Sequence, residues 1–323
     1  MLASILHALI PVFVLVGIGY FFQKSQKEDP WLNGALCRLG AGSCHTWSSI
    51  LNRYALHLAL PALIFSSLIS VDANALPDST FIFYTFAGLI CFMGLAFVLT
   101  KALRLSKDIA NTYIFGGLFG NTAYIGFAYL LNLFPESGAM LSLIVAIHLI
   151  VVFTLGIALL EKNSHNHISF AKILERTIKN PLLISVFLGL LVMFSDTNIP
   201  VVLTKAIEAM GNSSSPVVLI ALGAFIAKEW KHDITVVHAM RISLIKLLGL
   251  PLVFLGVSFF VKSDIGIVLS VLQSAMPIAL SNFALAESYA INKTMMANAI
   301  IVSTILSLVT IPLVTSITLS VFG

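Results

Sequence analysis

Two short segments interrupt apolar stretches that are otherwise long enough to cross a bilayer: FGNTAYIG at 119–126 and AMPIALSN at 275–282. Gly120 weakens a helix in the first segment, and Pro277 removes a backbone donor in the second. A helix that unwinds inside a membrane frees backbone groups that lipid cannot satisfy, so such breaks persist only where they line a protein cavity. Paired breaks in the two halves of a chain are typical of the ligand site of a membrane transporter.

The chemistry of this site follows from the helix ends that the breaks create. The second half of each broken helix begins near the middle of the membrane, so its free N–H groups and positive dipole end favour a carboxylate. The small polar side chains nearby either add donors and acceptors, or only satisfy the unwound backbone and join helices. A cation at the opposed carbonyl ends is a further alternative. The candidate substrate-binding residues are Gly120, Asn121, Thr122, Ser274, Pro277, Ser281 and Asn282.

The composition indicates an integral membrane protein. Of the 323 residues, 59% are hydrophobic and only 10% are charged, which does not fit a soluble domain with a solvated surface. The net charge of +4 does not indicate nucleic-acid binding, because the basic residues form short clusters between apolar segments. We expect the lipid bilayer of the cell (inner or plasma) membrane to surround the chain.

Hydropathy predicts an all-α membrane fold of ten transmembrane helices. Span 6 is short, and span 7 carries Lys205 and Glu208 near its start. The predicted spans run roughly over 2–22, 49–70, 80–103, 109–132, 138–160, 180–195, 201–227, 236–261, 265–287 and 296–321.

Lys and Arg residues predict the orientation, because they are retained on the cytoplasmic side. All but Lys205 and Lys262 of the 18 basic residues fall on the side of the connections after spans 1, 3, 5, 7 and 9. Both termini are therefore predicted to lie outside the cytoplasm. We expect span 1 to stay in the membrane rather than act as a cleaved signal peptide, because no Lys or Arg precedes it. Lys246, in span 8, is expected to extend toward the cytoplasm.

Five spans in each half force the second half to enter the membrane from the opposite side, which implies an inverted repeat. Pro61 in span 2 corresponds to Pro216 in span 7, at similar distances from the two breaks. The predicted repeats are residues 1–161, with a cytoplasmic loop at 23–48, and residues 180–323, joined by a cytoplasmic linker at 162–179.

The segment GNSSSP at 211–216 is expected to interrupt span 7. A Ser-rich break of this kind either eases a kink or lines the cavity beside the two prolines. The candidate helix-break and cavity residues are Pro61, Asn212, Ser213 and Pro216.

Two residues are candidates for coupling transport to an ion. Glu287 is the only acid in spans 8 to 10, and His148 lies inside span 5. The alternatives are a solvated helix-end charge for Glu287 and a hydrogen-bonded packing residue for His148. Proton or sodium coupling, exchange and uniport all remain open. No cofactor or metal is expected, because there is no Walker loop and Cys37, Cys44 and Cys91 lack zinc-ligand spacing.

At this point the residues resemble a known family, the auxin efflux carriers, which include bacterial PIN-like and malate or malonate permeases. The resemblance covers almost the whole chain, and the order and spacing of its motifs carry it. The motifs are PVFVLVGIGYFF in span 1, NRYALHLALPALIFSSL in span 2, GNTAYIGFAYL in span 4, NPLLISVFLGLL in span 6, SPVVLIALGAFIA in span 7, KLLGLPL in span 8, and AMPIALSNFALAESYAIN followed by IIVSTILSL.

The resemblance implies ten helices in two inverted five-helix repeats, a scaffold part and a transport part, and a homodimer. It also implies that helices 4 and 9 unwind and cross at the substrate site. This sequence departs from plant members, because Phe119 and Gly120 replace the Asn-Pro pair that precedes the Asn-Thr of span 4. It also lacks the acid and lysine pair of span 3 in plant carriers, which puts recognition of auxin itself in doubt.

These observations predict a secondary transporter, not an enzyme. The expected substrate is a small organic anion (a carboxylate, auxin-like or a dicarboxylate), moved by elevator-like or rocking alternating access at the crossover. A sodium-coupled bile-acid-type symporter is the alternative, and sodium dependence of uptake separates the two. A membrane serine protease is disfavoured, because GNSSSP lacks the Gly-flanked form of a nucleophile motif.

Overall fold

A computed structural model describes residues 2–26, 47–70, 80–162, 170–195, 197, 199–230, 235–261, 264–288 and 291–322. Every named element in these ranges is helical. Most of the predicted loop at 23–48 lies outside the described residues, although its ends at 23–26 and 47–48 are helical.

The described residues form thirteen helices, if short π-helical and 3-10 segments are counted with the helices that they adjoin. They are α1 (Leu2–Gln26), α2 (47–69), α3 (Thr80–Ala102), α4 (Lys107–Leu118), α5 (Thr122–Leu133), α6 (135–162), α7 (Phe170–Ile178), α8 (Pro181–Phe194), α9 (Val201–Glu229), α10 (Thr235–Ser258), α11 (Ile265–Ser274), α12 (Ser281–Ser288) and α13 (Lys293–Phe322).

All ten predicted spans coincide with helices, and spans 4 and 9 are the two that are fully split, into α4 with α5 and α11 with α12. Within the described residues, six helices are long and apolar enough to cross a membrane: α1, α3, α6, α9, α10 and α13. Helices α5, α8 and α11 are apolar but shorter. The predicted linker at 162–179 contains α7, which hydropathy did not predict. Its Thr177 hydroxyl donates to the carbonyl of Phe153 in α6 at 3.2 Å.

Proline shapes the interior of two helices. A π-helical segment at Ala55–Ala59 precedes Pro61 in α2, and another at Ile245–Gly249 precedes Pro251 in α10. Proline has no N–H, and its ring clashes with the carbonyl four residues earlier, so a wider turn accommodates it. Single π-helical turns often occur at functional sites. The one in α10 contains Lys246, which reaches the protein interior.

The helices pack in two groups. The first helix group consists of α1, α2, α8 and α9, in which α1 packs along α9, and α2 packs against α8 and α9. The second helix group consists of α3 to α6 and α10 to α13, in which α3 contacts α4, α6 and α10, and α13 contacts α10 and α11. These groups correspond to predicted spans 1, 2, 6 and 7, and to spans 3, 4, 5, 8, 9 and 10.

Glycine permits the closest contact in the first helix group. A Cβ added to Gly19 of α1 would overlap the backbone carbonyl of Ile220, and one added to Gly223 of α9 would overlap that of Val16. The two backbones therefore touch, as is common where small residues meet between membrane helices. Only two residues before Gly19, Gly17 faces another side of α1, since a Cβ there would meet no described atom within 4 Å.

These two glycines of α1 provide a matched pair of substitutions. We expect Gly19→Ala to lower the melting temperature in detergent by at least about 3 °C, because overpacking costs roughly 1–3 kcal/mol. Gly17→Ala should leave the melting temperature within about 1 °C, because it meets only open space. Equal melting temperatures for the two variants would contradict the close contact of α1 and α9.

Candidate substrate site at the helix crossover

The two breaks cross and form hydrogen bonds with each other. The backbone N–H of Asn121 donates to the carbonyl of Pro277 at 2.6 Å, and that of Ala279 donates to Phe119 at 3.0 Å. Gly120 and Ile278 form an antiparallel bridge between them. Each break therefore satisfies part of the backbone that the other has unwound, which answers the cost of exposing these groups within a membrane.

Asn121 ends the first break and caps α5. Its Oδ1 accepts from the backbone N–H of Ile125 at 3.4 Å, and its carbonyl accepts from Gly126 at 2.9 Å. The side chain is only 2% exposed, yet its Nδ2 has no hydrogen-bond partner in the described part of the chain. A buried amide donor without a partner costs about 1–3 kcal/mol, so this side chain is available to a ligand.

Asn282 ties the second broken span to the first. Its Nδ2 donates to the carbonyls of Phe119 at 3.0 Å and Phe115 at 3.5 Å, at the carboxyl end of α4. This contact is the backbone-satisfying role that the sequence left open. Its buried Oδ1 nevertheless accepts no hydrogen bond from the described residues.

A cavity of about 100 Å³ lies against the crossover. The amino ends of two helices, α5 and α8, border this cavity. The first N–H groups of α5 have no acceptor within the helix. The amino end of α8 is capped by Asn180, whose side chain accepts from the N–H of Leu182 at 2.9 Å. The lining residues are Leu56, Phe119, Gly120, Asn121, Thr122, Ala123, Tyr124, Leu149, Phe153, Asn180, Pro181, Leu182, Ala279 and Ser281.

Four of the seven predicted substrate-binding residues line this cavity: Gly120, Asn121, Thr122 and Ser281. The other three, Ser274, Pro277 and Asn282, lie at the crossover without lining it. The Ser274 hydroxyl donates to the carbonyl of Val271 at 2.6 Å, and Pro277 contributes its carbonyl to Asn121.

Lys246 does not extend toward the cytoplasm, so that prediction was wrong. The side chain is fully buried, and its Nζ donates to the carbonyl of Ser274 at 2.8 Å. A Cβ on Gly120 would lie 2.7 Å from this nitrogen, which places the ammonium beside the first break. Its position in the π-helical turn before Pro251 explains the inward direction, which an ideal helix did not predict.

Other buried polar atoms without partners lie around the crossover. In the described ranges, His148 Nε2 is unpaired although its Nδ1 lies 2.9 Å from the carbonyl of Ile144, and both polar atoms of the Gln273 side chain are unpaired. Gln273 lies against Gly126, where an added Cβ would overlap its Oε1. Unsatisfied atoms of this kind are rare in folded proteins and need an explanation such as a ligand or a second conformation.

The remaining predicted residues lie elsewhere. Ser213 ends the first part of α9 and hydrogen-bonds the Tyr54 hydroxyl at 2.7 Å, so it joins α9 to α2. Pro61, Asn212 and Pro216 are not among the cavity-lining residues, and Asn212 is exposed. Glu287 falls in α12, but its side chain lies outside the described part of the structure.

Sequence reasoning missed two residues near the crossover, Lys246 and Asn180. The Asn-Pro pair at 180–181 is readable as a helix cap followed by proline in the first turn, but its position beside the cavity depends on tertiary packing. Across the described residues, no group of three or more His, Cys, Asp or Glu side chains could hold a metal.

Comparison with known proteins indicates a membrane transporter. The model of a family described as "Membrane transport protein" matches residues 45–315. An "Uncharacterized transporter" of Methanothermobacter thermautotrophicus is 26% identical over 280 residues, which cover 82% of this chain and 87% of the relative. A "Putative malonate transporter" of Rhizobium meliloti is 23% identical over 317 residues, covering 96% of this chain and 94% of the relative. The chain therefore belongs to the membrane transport protein family, the auxin efflux carriers that its motifs resemble.

Proposed function

We propose that this protein is a secondary transporter that moves a small carboxylate across the membrane through the crossover cavity. The observation that carries the proposal is the buried side chain of Asn121, whose Nδ2 has no partner among the described residues. Asn121 lines the cavity together with Thr122 and Ala123, which belong to the first turn of α5. A carboxylate accepts hydrogen bonds only, and it is stabilised at a helix amino end. The site presents the donors that such a ligand needs.

The charges around the cavity also favour an anion. None of the described residues that line it is Asp or Glu. The buried ammonium of Lys246 lies behind Gly120, and the amino ends of α5 and α8 add positive partial charge. A cation in this cavity would meet helix amino ends rather than carbonyl ends.

The size of the cavity favours a short substrate. Its volume of about 100 Å³ is well below the roughly 300–1,000 Å³ of sites for drug-sized molecules. A dicarboxylate of malonate size fits this scale, in line with the name of the Rhizobium relative. A steroid of bile-acid type would need a much larger site, which argues against the alternative carrier.

The packing supports a moving part and a fixed part. If the ten spans form an inverted repeat, each span of the first half corresponds to the span five places later. Both helix groups then consist of complete pairs of corresponding spans, namely 1 with 6 and 2 with 7 in the first helix group and the other three pairs in the second. We propose that the second helix group, which carries both breaks, moves against the first and exposes the cavity to each side in turn. The lining residues Leu56 and Pro181 follow Arg53 and Lys179 closely, so in the proposed orientation the cavity lies toward the cytoplasmic side.

A thermal-shift screen of the purified protein tests this proposal. We expect malonate or a similar small carboxylate at saturating concentration to raise the melting temperature by a few degrees, because a ligand of the native state stabilises it. Asn121→Ala should abolish the shift. Asn132→Ala, which changes an exposed Asn near the other end of α5, is the matched control and should retain it. Stabilisation only by sodium with a bile acid, or an unchanged shift in Asn121→Ala, would contradict the proposal.

A further inference from the structure

Lys246 occupies a position that suits a bound cation. Its Nζ donates to the carbonyl of Ser274, the last residue of α11, and it lies beside Gly120 of the first break. The carboxyl end of a helix carries a negative partial charge. In transporters with broken helices, such ends commonly bind the coupling sodium ion or proton. Here a side chain of the protein itself supplies the cation.

Among the residues that the structure describes, no carboxylate forms an ion pair with Lys246. The titratable group that faces it from α6 is His148, on whose imidazole its charge acts. Burying an unpaired charge costs several kcal/mol, and ionisable residues retained inside a membrane protein generally have a function.

The chain is built locally to deliver this side chain. Pro251 accounts for the π-helical turn at Ile245–Gly249, and that turn carries Lys246. Glycine at position 120 leaves room for the ammonium, since a Cβ would lie 2.7 Å from Nζ and 2.8 Å from Cε. Two independent features, the π-helical turn of α10 and the glycine of the first break, thus accommodate the same charge.

We propose that the ammonium of Lys246 fills a cation-binding site at the carboxyl end of α11 and takes the place of a coupling cation. The cation site follows from the geometry alone. Its consequence, carboxylate transport without sodium, rests on the proposed function. The experiment therefore detects the cation site without using the carboxylate substrate.

Lys246→Ala should empty the site for an external cation. The substitution removes three methylene carbons and the ammonium, so n-propylammonium is the missing fragment. We expect n-propylammonium at about 100 mM to raise the melting temperature of Lys246→Ala by roughly 2–4 °C and that of the unsubstituted protein by less than about 1 °C. The controls are 1-propanol, which has a similar shape without charge, and tetramethylammonium, which has charge without N–H donors. Neither should stabilise Lys246→Ala.

Equal shifts of the melting temperature of Lys246→Ala with 1-propanol and n-propylammonium would show that the space is only an apolar gap, and they would overturn the proposal. A folded Lys246→Ala whose melting temperature responds to neither compound would overturn it as well.

Lys246→Met provides a second variant, since it fills the space with a neutral chain and should fold even if Lys246→Ala does not. We expect it to lose at least about tenfold of carboxylate uptake, and full uptake would overturn the proposal. If the unsubstituted protein transports no carboxylate, the proposed function fails, while the n-propylammonium response still decides the cation site.

Discussion

Asn121→Asp is expected to reduce carboxylate uptake into proteoliposomes by at least about 100-fold while leaving the fold intact. The new carboxylate can still accept from the N–H of Ile125, and a negative charge is favourable at a helix amino end. The substitution removes the free Nδ2 donor and places a negative charge, like that of the substrate, in the cavity. Two like charges about 4 Å apart repel by roughly 4 kcal/mol at an effective dielectric constant of ~20, which is more than a 100-fold change.

The matched control is Asn132→Asp, the same change at the exposed end of α5. Its uptake should stay within about twofold of the unsubstituted protein, and both variants should melt within a few degrees of it. If Asn121→Asp increases carboxylate uptake, the anion assignment is wrong. It is also wrong if the substrate of the unsubstituted protein proves to be a cation.

Gly120→Val is expected to reduce uptake by about 5- to 150-fold. A Cβ at position 120 would lie 2.7 Å from the Lys246 ammonium and 3.3 Å from the carbonyl of Met276. The larger valine must displace the ammonium from Ser274 or separate the two crossing segments, and overpacking of this kind adds roughly 1–3 kcal/mol. Uptake and melting temperature measured together distinguish a blocked site from an unfolded protein.

Gly94→Val is the control for this substitution. Gly94 lies on the exposed side of α3, where an added Cβ meets no described atom within 4 Å. We expect its uptake and melting temperature to match those of the unsubstituted protein closely. Normal uptake by Gly120→Val would mean that the crossover tolerates separation of the two segments, and it would remove the steric basis of the site.

The two breaks could be predicted from sequence because their causes are local. Gly120 and Pro277 each weaken a helix in a stretch that is otherwise apolar, and the structure splits both spans at these positions. That the breaks pair with each other, through Asn121 with Pro277 and Ala279 with Phe119, depends on contacts between distant parts of the chain. Motif resemblance implied the crossing, but it did not specify the hydrogen bonds.

Lys246 shows where local reasoning fails. A lysine in a membrane helix ordinarily extends its ammonium toward the membrane surface, so the sequence favoured that outcome. The wider turn before Pro251 and the absence of a side chain on Gly120 together direct it inward instead. A regular helix in span 8 predicts neither feature, because one is a distortion of its own backbone and the other belongs to a different span.

The segment at 211–216 is less disrupted than its sequence suggests. Its glycine and serines predicted a break in span 7, but α9 is interrupted only at Ser213, whose backbone stays close to helical. Ser213 satisfies itself through Met210 and Tyr54, at 2.6 and 2.7 Å. Small polar residues alone do not unwind a membrane helix when their hydroxyls bond to the preceding turn.

The most direct test of the account is uptake of radiolabelled malonate by proteoliposomes that contain the purified protein, with sodium replaced by choline on both sides. A small-carboxylate carrier with its own buried cation predicts saturable uptake above that of empty liposomes, undiminished without sodium and nearly absent in Asn121→Asp. Failure to transport malonate or any other small carboxylate, or uptake that requires sodium, would contradict it.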